Sequence, residues 1–266
     1  MLSGNQAKRP LATGQIVKIV GFIPARYQST RFEGKPLALI AGKPMIQHVY
    51  QRSRECPDLD EIYVATDDLR IYDCVTEFGG QAIMTDRKHV SGTDRIAEVA
   101  EKIDLMDRDI VVNIQGDQPI FHPSILSDVI RPLTEDPTIT MSTLMYRIED
   151  DRELCDTNTV KVAIDNSGFA LYFSRLPIPF CRNQESKAIH YKHLGFYVYR
   201  KEFLLTFTSL SYGLLEETEK LEQLRALEHG FKIKVVEAVF DAVEVNTPED
   251  IEIAEQKLSQ LKYPGP

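Results

Sequence analysis

Three short runs rich in β-branched residues constrain most strongly what this chain can fold into. Residues 16–23 (IVKIVGFI), 61–66 (EIYVAT) and 109–115 (DIVVNIQ) break at Pro24, Asp67-Asp68 and Gly116-Asp117. Runs of this length and composition, ended by turn residues, read as buried strands. Between them the period changes. Pro44 opens a stretch that places Met45, Ile46, Val49 and Tyr50 on one helical face; residues 69–78 form a second helix closed by Gly79-Gly80, and 94–102 a third. Residues 81–84 read as a short strand. Strands alternating with helices predict an α/β fold built on a doubly wound, mostly parallel, Rossmann-like sheet. Ligands of such sheets bind at the carboxyl ends of the strands, where the strand order reverses. The loops after the three strands are therefore where chemistry is expected.

The second half has a different texture. Residues 159–164, 170–174, 193–199 and 232–239 read as strands of a smaller mixed β region, with helices at 201–207 and 216–230. A last helix is expected from about 248 to 261, with Thr247 as N-cap, Pro248 in the first turn and acidic residues after it. Residues 1–15 are polar and read as a flexible leader. No repeat or Gly/Ser-rich linker divides the rest, so residues 16–262 are expected to form a single domain. Within it, about 16–130 would bind a nucleotide and about 131–245 would complete the site.

Composition narrows the partners. Of the 266 residues 43% are hydrophobic and 27% charged, and 31 Lys+Arg against 40 Asp+Glu give a net charge of −9. That balance argues against non-specific nucleic-acid binding, which needs a dominant basic surface. No apolar run reaches the roughly 20 residues that cross a bilayer, so no membrane partner is expected. Cys56, Cys74, Cys155 and Cys181 form no CxxC pair. Free thiols in a cytoplasmic protein are the expectation.

In this acidic chain the loop after the first strand, PARYQSTRFEGKP (24–36), carries three cations, Arg26, Arg31 and Lys35. Small residues let backbone donors approach an anion, and Lys35 supplies a point charge. Each cation alone could be a solvated loop residue; the whole pattern directly after a buried strand points to phosphate binding. The spacing is neither that of a P-loop nor that of GxGxxG. Asp117, in Gly-Asp-Gln-Pro at the end of the third strand, is either a turn former or a hard oxygen ligand at the switch point.

PARYQSTRFEGKPL followed by GKPMIQHV resembles the signature of the sugar nucleotidyltransferases, in particular those that make CMP-sugars. The resemblance continues through VATDD (64–68), SGTDR (91–95), NIQGDQP (113–119), ALYFSR (170–175), KHLGFYVYR (192–200), ETEKLEQLRALEHG (217–230) and VNTPEDI (245–251), covering residues 17 to about 258. ALYFSR and KHLGFY resemble the 3-deoxy-manno-octulosonate (Kdo) cytidylyltransferase family.

The resemblance implies the fold of the nucleotide-diphospho-sugar transferases and a Mg²⁺-dependent transfer of a cytidylyl group from CTP to the C2 hydroxyl of a Kdo-type sugar acid. The products would be pyrophosphate and CMP-Kdo for lipopolysaccharide. It also implies a homodimer, joined through the second β region. Lys35 and Arg26 match triphosphate-binding positions and, with Asp117, would be catalytic. Pro24, Ala25, Arg31, Ser91, Gly92 and Gln115 would complete the nucleotide site, and Arg95 is a helper of less defined role. Gln115, Arg175, Arg182, His193, Tyr197, Glu222 and Gln223 would bind the sugar. Read as residues alone, His193 could be a satisfied core histidine, Tyr197 strand packing and Glu222 a solvated helix face. Asp117 and residue 246 would hold the metal. At 246 the family's usual Asp is Asn246, and at 118 its commoner Glu is Gln118. Gln118 and the Tyr191-Lys192 lead-in to His193 leave open an 8-amino analogue of Kdo as substrate, and Asn246 leaves open a nucleotide-binding relative that has lost activity.

Overall fold

The computed structural model describes residues 17–29, 31–182 and 188–260. The expected leader, the expected strand's first residue Ile16 and the end of the expected last helix lie outside them. Strand β1 (Ile19–Ala25) is followed by a 3-10 turn at Lys35–Leu37, an antiparallel pair β2 (Leu39–Ile40) and β3 (Lys43–Pro44), and helix α1 (Met45–Arg54). Then come β4 (Glu61–Thr66), α2 (Leu69–Glu77), β5 (Ala82–Met84), α3 (Gly92–Lys102) and β6 (Ile110–Asn113). β4 and β6 run parallel to β1 on its two sides, and β5 extends the sheet parallel to β4. The chain thus moves outward from β1 to one edge and returns past it, which makes the ends of β1 and β6 the switch point.

The sheet has two covered faces, and β1 shows why. Ile19 and Ile23 enter one apolar cluster with side chains of α1, α2 and the later helix Ser124–Glu135; Val20 and Phe22 enter the other with side chains of α3 and the later helix Lys201–Ser209. Alternate residues of a strand point to opposite faces, so a strand covered on both sides must be apolar at every position. That is the unbroken run seen in the sequence.

After β6 come α4 (Ser124–Glu135), β7 (Met141–Arg147), α5 (Asp151–Cys155), β8 (Lys161–Ile164), β9 (Ala170–Ser174) and β10 (Tyr191–Arg200). They are followed by α6 (Lys201–Ser209), α7 (Leu214–Glu219), α8 (Leu224–Glu228), β11 (Lys234–Glu237) and α9 (Asp250–Gln260). β10 lies antiparallel between β6 and β7, β11 adds parallel to β7, and β8 with β9 extends from the start of β10. The mixed β region is therefore continuous with the parallel core in one nine-stranded sheet.

Two expectations change. The helix expected over 216–230 is two short helices, α7 and α8, because Lys220 takes a left-handed conformation at φ 54° and ends the first. The pieces are tied by a buried ion pair in which Arg225 Nε and Nη2 donate to the Glu216 carboxylate at 2.7 and 2.6 Å. The last helix is regular from Asp250 rather than from about 248, and the Asp250 carboxylate reaches back and accepts from Asn246 N and Thr247 N, each at 2.8 Å. The C-terminal cap of α2 is as expected, with Gly79 at φ 78°.

Candidate active site

Three loops meet at the switch point, and glycine makes the meeting possible. A Cβ on Gly116 would lie 2.8 Å from Pro24 O, and one on Gly92 would lie 3.1 Å from Pro24 Cγ. The β6 loop and the start of α3 thus pack directly on the end of β1. Ser91 caps α3 and forms a reciprocal capping box with Asp94, leaving the helix N-terminus, a favourable anion site, beside Pro24. Ala25 is buried in the strand, while Arg26 and Arg31 are exposed in the loop.

That loop folds back on itself. Gly34 N donates to Tyr27 O at 2.9 Å, with Gly34 at φ 69°. The next residue, Lys35, points at β6: its Nζ donates to Asp117 Oδ2 at 2.8 Å and to Val245 O at 3.1 Å. Val245 N in turn donates to Asp117 O at 2.9 Å. Residues 35, 117 and 245–246, far apart in sequence, are thereby brought to one point. Asn246 Oδ1 there is buried and has no hydrogen-bond partner among the described residues. A carboxylate beside an unpartnered amide oxygen suits a hard divalent cation such as Mg²⁺, so the residues present fit that ion.

Beside this point opens a cleft of about 970 Å³, lined among others by Gln115, Gln118, His193, Gly195, Glu244 and Asn246. Gln118 Oε1 is buried and unpartnered among the described residues. His193 Nε2 lies 2.9 Å from Thr143 Oγ1, whose hydroxyl also reaches Phe196 O at 2.8 Å. Because that hydroxyl can donate only once, His193 Nε2–H donates to it. Burial holds the imidazole's pKa down to about 3, so His193 is neutral at any working pH and can read a hydroxyl but not balance a carboxylate. At the other end of the cleft Lys192 bridges Glu153 (2.6 Å) and Asp241 (2.8 Å).

Other expected sugar-site residues lie outside this cleft's lining. Tyr197 is 8% exposed and stacks between His193 and Tyr199 in an aromatic row. Arg175 donates to Glu219 O, Thr157 O and Lys220 O, holding the turn that presents Glu222 and the buried Gln223. Arg182 is exposed. Arg95 is buried against Asp67 and Thr85, at 2.8 Å from the former, so it braces the loop after β4. Arg175→Ala is expected to raise the KM for the sugar acid about tenfold, the scale of one lost charged hydrogen bond, with little change for CTP. Equal rises for both substrates would assign Arg175 to the general fold.

Glu222 is not on a solvated helix face. It sits in the turn between α7 and α8, where its carboxylate accepts from Thr93 Oγ1 at 2.6 Å and leaves Oε1 buried without a hydrogen bond among the described residues. Desolvation raises its pKa, although Thr93, Arg225 and Ser91 counter part of the rise. For an acid raised in the folded state, the proton it holds stabilises the fold below the unfolded value of about 4.3, and that stability is lost as pH rises through the folded pKa. Glu222→Gln should therefore gain stability relative to the parent as pH rises above the usual carboxylate range. Melting both proteins at a series of pH values checks this; a pH-independent difference would place the charge in solvent.

Sequence reasoning missed Glu244. Glu244 shows a signal in retrospect: in Val243-Glu-Val-Asn246 the polar residues alternate with valines, the pattern of a one-sided strand. Its carboxyl is raised by desolvation and by Asp117 beside it, and the Asn246 amide, Lys35 and Arg31 counter part of the rise.

The cytidylyltransferase family model matches residues 20–234. A 3-deoxy-manno-octulosonate cytidylyltransferase of Syntrophus aciditrophicus is 55% identical over 234 residues, 88% of this chain and 94% of its own. An 8-amino-3,8-dideoxy-manno-octulosonate cytidylyltransferase of Shewanella loihica is 52% identical over 238 residues, 89% of this chain and 97% of its own. A solved structure of CMP:2-keto-3-deoxy-manno-octonic acid synthetase complexed with CTP superposes with a TM-score of 0.86 at 42% identity, covering 91% of this chain and 99% of that one. With its switch-point loops, its lysine–aspartate pair and this match over most of its length, the chain belongs to the cytidylyltransferase family.

Proposed function

We propose that the protein transfers the cytidylyl group of CTP to the C2 hydroxyl of 3-deoxy-manno-octulosonate. The observation that carries this reading is the meeting of Lys35, Asp117 and the unpartnered Asn246 oxygen at the switch point. In the reaction the C2 hydroxyl gives up its proton to water, its oxygen bonds to the α-phosphorus, the bond from that phosphorus to the bridging oxygen breaks, and pyrophosphate leaves. Such chemistry needs positioning and charge neutralisation more than covalent catalysis. Lys35 sets its ammonium against the triphosphate and the departing pyrophosphate. Exposed Arg26 and Arg31 gather the phosphates, and the α3 N-terminus at Ser91-Gly92 adds backbone donors. Asp117 and Asn246 would hold Mg²⁺, which supplies Lewis-acid charge at the phosphate oxygens. Gln115, Gln118 and neutral His193 read sugar hydroxyls. The product would serve lipopolysaccharide synthesis, and a cytoplasmic homodimer is the proposed setting.

A second reading is the same transfer to the 8-amino analogue. Glu153 and Asp241, which flank Lys192 in the cleft, are carboxylates that a primary amine can engage. Pyrophosphate release from CTP, measured with each sugar acid in turn, tests both. Turnover with Kdo at least tenfold more efficient than with the analogue supports the first reading. The reverse supports the second, and release with neither sugar overturns both.

A further inference from the structure

The proposed metal site is short of negative charge. Among the described residues no three His, Cys, Asp or Glu side chains gather to hold an ion. Asp117 shares one carboxylate oxygen with Lys35, and Asn246 brings a neutral oxygen. Mg²⁺ in nucleotide-dependent sites is usually held by one or two carboxylates together with the substrate phosphates, so the question is where a second carboxylate comes from.

The chain segment around Asn246 answers it. Val243 N donates to Ile120 O at 2.8 Å and Val245 N to Asp117 O at 2.9 Å, so residues 243–245 run extended and antiparallel to 117–120. Alternate residues of an extended segment face the same way. Val243 and Val245 pack into the apolar cluster with Ile40, Met45 and Ile120. Glu244 and Asn246 alternate with these valines, and both line the cleft. The Asn246 amide, Asp117, Lys35 and Arg31 all lie near enough to act on the Glu244 charge. An amide that turns its nitrogen toward a carboxylate keeps its oxygen free, and the Asn246 oxygen is unpartnered among the described residues.

We infer that Glu244 is a ligand of the divalent cation, supplying the second negative charge that Asn246 lacks and orienting the Asn246 amide so that its oxygen faces the ion. The inference rests on the reading of Asp117 and Asn246 as metal-holding residues. It makes Glu244 and Asn246 a working pair, in which the charge sits two residues before the amide.

Binding of Mn²⁺, followed by the loss of its free-ion electron paramagnetic resonance signal in full-length protein with CTP and no sugar acid, reads this without turnover. Glu244→Gln is expected to weaken Mn²⁺ binding at least tenfold, the lower end for changes in a metal's supporting shell. Asn246→Asp in the Glu244→Gln background is expected to restore it, because it returns the charge to the neighbouring position. Asp117→Asn should also lose binding. Unfolding of the glutamine variant is controlled by its circular dichroism and by metal-free CTP affinity, both expected to match the parent. Parent-like Mn²⁺ binding in Glu244→Gln, with binding lost in Asp117→Asn, would overturn the role of Glu244 and leave the site in place. Parent-like binding in Asp117→Asn would overturn the site itself and this inference with it.

Discussion

Lys35→Ala is expected to lower kcat/KM for cytidylyl transfer by about 10²–10³, the range for removing one preorganised electrostatic group from a transition state. Three features make Lys35 preorganised. The 3-10 turn at Lys35–Leu37 fixes its backbone, Gly34 before it folds the loop onto Tyr27, and its ammonium is held at 2.8 Å by Asp117 and at 3.1 Å by Val245 O. No reorganisation is then needed when charge develops on the departing pyrophosphate. The folded state should survive the change. The Lys35–Asp117 pair is partly solvated, with side chains 15% and 26% exposed, and such a pair contributes little to stability. Steady-state kinetics together with thermal melting check both halves. A variant with parent-like kcat/KM would remove Lys35 from the mechanism. A fall in activity matched by a collapse in melting temperature would make the residue structural.

How much of this was legible in the sequence follows from what kind of force fixes each part. β1, β4 and β6 were legible because burial on both faces demands an unbroken apolar run, and no other element of that length does. The stretch from 120 to 158 was not read at all. In it, α4 carries Pro132 within its last turn, a residue that argues against helix when read alone. β7 carries Ser142 and Thr143, polar residues that are fully buried because Val129 O and Phe196 O accept from their hydroxyls. Those acceptors are 13 and 53 residues away, so no local pattern announces them. The same limit governs the site. Lys35 and Asp117 were found from loop chemistry, but their contact spans 82 residues and belongs to the fold. Glu222 was open to a reading as a helix surface because 216–230 has helical spacing; one left-handed residue, Lys220, turns that carboxylate inward. Arg175 was expected to meet a sugar carboxylate; that three backbone carbonyls accept from it could not be read from the sequence.

The break at Lys220 also sets up the largest stability effect expected here. Arg225→Ala should destabilise the protein by about 3–5 kcal/mol, the cost of leaving one member of a buried ion pair without its partner. For a chain of this size that corresponds to a fall in melting temperature of roughly 6–20 °C. Arg225 is 3% exposed and Glu216 6%. Their two-pronged contact links α7 to α8 beside the Glu228 carboxylate, which accepts from Leu215 N and Glu216 N, and the guanidinium also lies over the rings of Phe207 and Tyr212 at 4.9 and 4.5 Å. Removing it strands the Glu216 carboxylate in an apolar setting. The stability term comes from the stranded charge rather than from the attraction itself, so replacing both partners should be far milder: Glu216→Leu with Arg225→Met is expected to recover most of the melting temperature. Recovery of the fold need not recover the site. Arg225 lies 3.7 Å from Glu222 and counters part of the rise in its pKa. In the double variant Glu222 should therefore be protonated at higher pH than in the parent, and the pH at which activity changes through that group should move upward. Melting the single and double variants separates stranded charge from lost packing. If both fall equally, packing of the guanidinium dominates. If Arg225→Ala melts within about 2 °C of the parent, less than 1 kcal/mol for a chain of this size, water reaches the pair and the Glu216 carboxylate is not stranded.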